Sequence, residues 1–211
     1  MALLQSLGAK SVPVVSKGDQ SVFAQSIGDV AEFLGLIVDT RPVLSPAELV
    51  AKYDMIMQAA GRHIRQIPDD KLGGKILDRD RTYRELTYHI FRIAEALMDA
   101  ANGAELTVSY YHDNPPIDMQ TVEQIASFGD DVRGRLNAWW EAYPYKNGEA
   151  LVNTYFGNKS LHEVLERSTW HSGQHGRQIV MAMGEFMGIA ADNPLNADDY
   201  AGLPMPEKAW D

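Results

Sequence analysis

His171 and His175 stand in the segment Thr169-Trp-His-Ser-Gly-Gln-His-Gly-Arg-Gln-Ile179. Four residues apart on a helix, their side chains diverge by about 40° and lie one turn above the other on one face. That spacing lets two imidazoles reach one metal ion, provided a third ligand arrives from elsewhere. His89 is the best candidate for it. It follows Leu86 and precedes Ile90 and Ile93 in a strongly helical stretch, so it lies beside the core and needs a polar partner. Three neutral imidazoles with one open position make the usual open site for zinc or another divalent metal. Such an ion lowers the pKa of bound water towards about 7, or holds a thiolate or a carbonyl oxygen. The plainer alternative is that the pair caps buried polar positions or sits on a solvated face.

The remaining histidines fit less well. His162 is nine residues before His171, about 180° around the helix, and cannot share its site. His63, beside Arg62 and Arg65, is expected at the surface, and His112 in a loop. Gln174, Gln178 and Glu85 stand where a side chain could fix an imidazole tautomer or a bound water. Arg92 could meet an anionic substrate group, although an ion pair is its more ordinary use. The weak catalytic candidates are therefore Glu85, Arg92 and Gln178. Trp139-Trp140 and Trp170 read as packing.

Four helices must position these residues. Ser45-Pro-Ala-Glu48 joins an N-cap, a first-turn proline and a capping-box glutamate, and opens a helix to about Ile67. Thr82-Tyr-Arg-Glu85 opens a second to about Ala101. Tyr110–Asp118 reads as a loop, and a third helix runs from about Thr121 to Glu141. A short extended piece, Leu151–Phe156, precedes Ser160-Leu-His-Glu163, which starts the histidine helix ending near Gly188.

Residues 1–40 differ in character. A helical turn at Leu3–Leu7, a strand Ser11–Val15, a turn at Gly18-Asp19, a strand Ser21–Gln25 and a helix Ile27–Leu36 make a β-β-α unit. It is too small to fold alone and must dock on the bundle or a partner chain. Residues 41–190 form the bundle and 191–211 an arm across it, burying Leu195, Leu203, Met205 and Trp210. The fold class is mainly α: an antiparallel four-helix bundle with a small N-terminal β-β-α appendage.

Composition narrows the chemistry. The chain has 211 residues, enough to bury a core, and no cysteine, which excludes disulfides, thiolate zinc sites and a cysteine nucleophile. Nineteen basic against twenty-nine acidic residues give a net charge of −10, with no basic run, so nucleic acid is not an expected partner. No apolar stretch approaches the roughly 20 residues that span a bilayer, and no signal-peptide pattern is present; no membrane partner and a cytoplasmic residence are expected.

The mid-helix Tyr88-His89-Ile90 followed by the helix with His171-Ser-Gly-Gln-His175-Gly-Arg-Gln178 resembles the DinB/YfiT-like superfamily over roughly residues 45–190. The resemblance implies a four-helix bundle, often dimeric, holding zinc, nickel or iron through His89, His171 and His175. Some members are transferases or isomerases that use mycothiol, bacillithiol or glutathione, with the metal holding the cosubstrate sulfur as thiolate. Residues 3–36, with Val12-Pro13-Val14 and the closing Phe33-Leu-Gly35-Leu, resemble the C-terminal half of a glutaredoxin, without its redox cysteine. There the resemblance implies that Val12 and Pro13 offer a backbone edge to a thiol cosubstrate; the same edge could instead be a dimer contact.

Three functions follow. The first is a three-histidine, metal-dependent transferase, isomerase or lyase using glutathione or another low-molecular-weight thiol on a small electrophile. The second is a hydrolase using metal-bound water, for which Glu85 is the placeable base. The third is a non-enzymatic metal-binding stress protein, which would want a fourth protein ligand such as His112 or Asp198.

Overall fold

The computed structural model describes residues 13–77 and 80–210; the expected turn at Leu3–Leu7 and Val12 lie outside them. The described chain is mainly helical, with two small antiparallel hairpins. β1 (Val14–Lys17) pairs with β2 (Gln20–Phe23) through a turn at Gly18, where φ is +62°, and α1 (Ile27–Leu34) follows with Ser26 as its N-cap. Four long helices come next: α2 (Pro46–Ile64), α3 (Tyr83–Ala101), α4 (Val122–Ala142) and α5 (Leu161–Ala182). Each opens with a capping box, closed by Glu48, Glu85, Gln124 and Glu163 in turn. A π-helical turn, Met183–Met187, extends α5 to Gly188 in the left-handed conformation.

The helices form a bundle in which α2 and α3 each pack against α4 and α5, so consecutive α2 and α3 sit across the diagonal. Cross-helix partners give the directions. Arg65 near the end of α2 binds Glu123 near the start of α4, and Asp54 binds Arg133, so these two run antiparallel. Leu44 just before α2 meets His162 at the start of α5, whereas His63 shares a cavity wall with Val180 and Met181, so α2 and α5 run parallel. Arg84 at the start of α3 reaches Met119 just before α4, and Asn102 meets Trp139 near the end of α4; these run parallel too. The all-antiparallel expectation is therefore corrected to up, down, down, up. The segment between Ala101 and Val122 is long enough to return along the bundle, and it does so partly as a 3-10 turn, Val108–Tyr111, that buries Tyr111.

The core is continuous from Leu49 and Tyr53 on α2, through Phe91 and Ile93 on α3 and Val132 and Leu136 on α4, to Leu161 and Leu165 on α5. A cross-helix chain of hydrogen bonds runs through it. Tyr53 Oη donates to Ser172 Oγ at 2.9 Å, and Ser172 Oγ donates to the Ile90 carbonyl at 2.9 Å. It ties α2, α5 and α3 together beside His171 and His89.

The extended piece at 151–156 is one arm of a second hairpin, β3 (Leu151–Thr154) with β4 (Gly157–Ser160). Its two-residue loop is Tyr155-Phe156, and Gly157 supplies the positive φ of +108° that closes it. The N-terminal unit docks on this hairpin: Phe23 packs on Tyr155, Tyr155 Oη donates to Gln25 Oε1 at 3.2 Å, and Lys159 pairs with Asp29. Segment 190–210 lies across α2 and α5, its carbonyls gathered by Lys52, Arg62, Gln174 and Arg177. Leu195, Leu203, Met205 and Trp210 pack on the core there.

Candidate metal centre

α3 and α5 run antiparallel, and the Ser172–Ile90 bond fixes their register. That register brings His89 from one helix against His171 and His175 from the other. Ring centroids are 5.5 Å apart for His89–His171, 5.0 Å for His89–His175 and 4.7 Å for His171–His175. One ring nitrogen from each lies within 4.8 Å of the others. His89 is buried and the other two are partly buried.

Gln178, one turn beyond His175, decides which of that ring's nitrogens is available. His175 Nδ1 donates to Gln178 Oε1 at 2.7 Å, which leaves Nε2 as the lone-pair donor. His175 Nε2 is buried with no hydrogen-bond partner among the described residues, and so is His89 Nδ1. Buried polar atoms are rarely left alone, because each forfeits about 1–3 kcal/mol of solvation. A cation between the rings would give an orphaned imidazole nitrogen its partner, so the residues present fit a divalent metal. Burial pushes all three imidazoles down in pKa, His89 and His171 well below the usual value and His175 to about 4. At neutral pH all three are uncharged, which is the form a metal takes.

The permanent charges that act on these rings share one sign: they are Arg81 and Arg167, with no carboxylate among them in the described residues. Arg81 donates to the Tyr111 carbonyl at 3.0 Å, and Arg167 to Tyr111 Oη at 2.5 Å. The Tyr111 ring stands 5.5 Å from His171 and 6.1 Å from His89. In a chain of net charge −10 this is a locally cationic site.

The other expected residues are placed as follows. Glu85 closes the α3 capping box, its Oε2 accepting from Thr82 N at 2.6 Å and from Thr82 Oγ1 at 2.9 Å. Arg92 pairs with Glu95 and Asp113. Gln174 and Arg177 hold segment 206–209 and not the histidines. His112 and Asp198 are exposed and outside the cluster. Pro13 is exposed, its carbonyl accepting from Ala24 N in the hairpin. His63 is a correction: it is buried, not on the surface, because segment 190–210 covers it and Asp192 accepts from its Nε2 at 3.0 Å.

Sequence reasoning missed Tyr111 and Arg167. Tyr111 was hidden in an apparent loop. Arg167 was legible, because Arg167, His171 and His175 repeat at four-residue intervals on one helical face.

No known family model matches the chain, and no curated protein matches it. Among the described residues no helix is long and apolar enough to cross a membrane.

Proposed function

We propose that His89, His171 and His175 hold a divalent metal ion, and that the protein is a DinB-like, thiol-dependent transferase, isomerase or lyase acting on a small electrophile. The observation that carries this reading is the carboxylate-free, cationic surrounding of a three-nitrogen site. When bound, the metal stabilises a coordinating sulfur as thiolate at neutral pH. The chain's own groups set the rest. Gln178 holds the His175 tautomer, Tyr111 walls one side of the rings, and Arg81 and Arg167 favour an anionic cosubstrate over a neutral one. With no cysteine in the chain, the attacking sulfur belongs to the cosubstrate.

The hydrolase reading is weaker, because its base, Glu85, is engaged at the start of α3. The structural-metal reading lacks a fourth protein ligand near the three histidines among the described residues. The test is turnover of 1-chloro-2,4-dinitrobenzene by zinc- or cobalt-loaded protein with glutathione, on wild type and His171→Ala. In that reaction the thiolate sulfur bonds to the ring carbon, chloride leaves, and the thiol proton passes to solvent. Expected is thiol-dependent turnover that needs the metal and is lost in the variant. Ester or amide cleavage without any thiol would transfer support to the hydrolase. The homodimer is part of the same proposal, and light scattering on the loaded protein checks it.

A further inference from the structure

Arg167 is only 8% exposed, yet none of its hydrogen-bond partners among the described residues is a carboxylate. Nη1 donates to Tyr111 Oη, Nη2 donates to Gln25 Oε1 and Tyr155 Oη, and the buried Nε has no partner among the described residues. Rings surround the guanidinium: Tyr111 at 4.9 Å, Phe156 at 5.0 Å and Tyr155 at 5.9 Å. A desolvated cation held only by neutral groups is an expensive arrangement, and a counter-charge would relieve it.

Space for that counter-charge adjoins it. A cavity of about 320 Å³ lies between the N-terminal unit and α5, within the size range of small-molecule sites. Gln25, Gly28, Phe156, Arg167 and Trp170 are among its walls. Of its other charged walls, Lys159 is ion-paired with Asp29, whereas Glu163 and Glu166 are carboxylates held by hydrogen bonds, Glu163 accepting from Ser160 N and Oγ and Glu166 from the Val43 backbone. Arg167 is the cationic wall with no carboxylate among its hydrogen-bond partners in the described residues.

We propose that this cavity is a subsite for the carboxylate of a small cosubstrate, and that the Arg167 guanidinium in its wall is the charge that binds it. Arg167 is four residues before His171, about 6 Å along the helix axis on the same face. Trp170 lines the cavity and stacks on His171, ring centroids 5.7 Å apart, and Tyr111 touches both Arg167 and His171. With Arg167 and Trp170 joining the cavity wall to His171, the ligand class proposed is a molecule with a carboxylate several bonds from a thiol, such as a short thiol peptide. The subsite rests on the thiol-transfer reading for the ligand's sulfur; the missing counter-charge at Arg167 does not depend on the metal.

The test is calorimetric titration of the metal-free 211-residue chain with S-methylglutathione, whose sulfur is capped and whose carboxylates are free. Wild type should bind it, glutathione diethyl ester should bind at least tenfold more weakly, and Arg167→Met should lose at least tenfold. Gly28→Met is the second variant, for the case in which Arg167→Met does not fold. A Cβ at Gly28 meets nothing closer than Thr40 Oγ1 at 3.4 Å, so the longer chain fills the cavity from α1 without replacing Arg167. It should lose tenfold as well. Folded variants that bind S-methylglutathione as tightly as wild type would overturn the subsite, and so would wild type that binds none. Cobalt(II) absorption on the same samples separates the two proposals. Cobalt binding without S-methylglutathione binding removes the subsite alone; Arg167-dependent binding without cobalt binding removes the metal reading alone.

Discussion

One nitrogen of His175 is held by Gln178, and the other is left to face His89 and His171. Orienting groups of this kind typically carry 10–100-fold in metal affinity, so Gln178→Ala should weaken zinc binding by about that factor. Competition against a chromophoric chelator measures it, and an unchanged affinity would remove Gln178 from the site. Acid should act on the same residue. In the folded, metal-free chain burial holds His175 at about 4, below the ordinary 6.5. Between those values the unfolded chain takes up a proton that the folded one refuses, so stability is full above pH 6.5 and falls on the way to pH 4. His175 alone accounts for about 3 kcal/mol of that fall. His63, lowered by burial in the same direction, adds to it. Urea unfolding of the metal-free protein across pH 4–7 follows the loss, and a flat profile would contradict buried neutral histidines.

Element by element, the register between α3 and α5 depends on Ser172, which accepts from Tyr53 and donates to Ile90. Ser172→Ala strands the Tyr53 hydroxyl in the core and should cost about 1–3 kcal/mol in chemical denaturation. A variant as stable as wild type would show that the bond contributes nothing net. Where α3 meets α4, a Cβ on Gly129 would run into the buried ring of Phe91. Gly129→Ala gains about 1 kcal/mol of helix propensity but forces that ring to move, at about 1–3 kcal/mol. The net should be a lower melting temperature, and a rise would mean that the ring shifts freely. The long helices were readable because their ends carry chemical punctuation: Ser45 with Glu48, Thr82 with Glu85, Ser160 with Glu163. Thr121 with Gln124 is the same signal and went unread as a cap. Helix direction was not readable, because capping and periodicity are local whereas the pairing of α2 with α5 spans more than a hundred residues. The buried 3-10 turn at Tyr111 also escaped, since four residues between polar stretches show no period. The histidine pair was legible for the opposite reason: its geometry is set within one helical turn.

For the molecule as a whole, two of the proposed ligands are local to α5 and the third is 82 residues before His171, at 89. An unfolded chain thus offers a metal only the local pair, and binding to all three should favour the folded state. At a free zinc concentration about a hundred times Kd, linkage gives about 2.7 kcal/mol. The melting temperature of wild type should rise on zinc addition and that of His89→Ala should not; equal shifts would place the binding elsewhere. The cavity beside Arg167 has a consequence of its own. Its walls include Gln25 and Pro204, so nearly everything between them must leave the ribosome before the cavity closes. At about 5–20 residues per second, synthesis exposes Arg167 for seconds before its last wall arrives. The pocket is therefore complete only after translation has passed Pro204, and a nascent chain stalled short of it would offer a small acid only a partly built pocket.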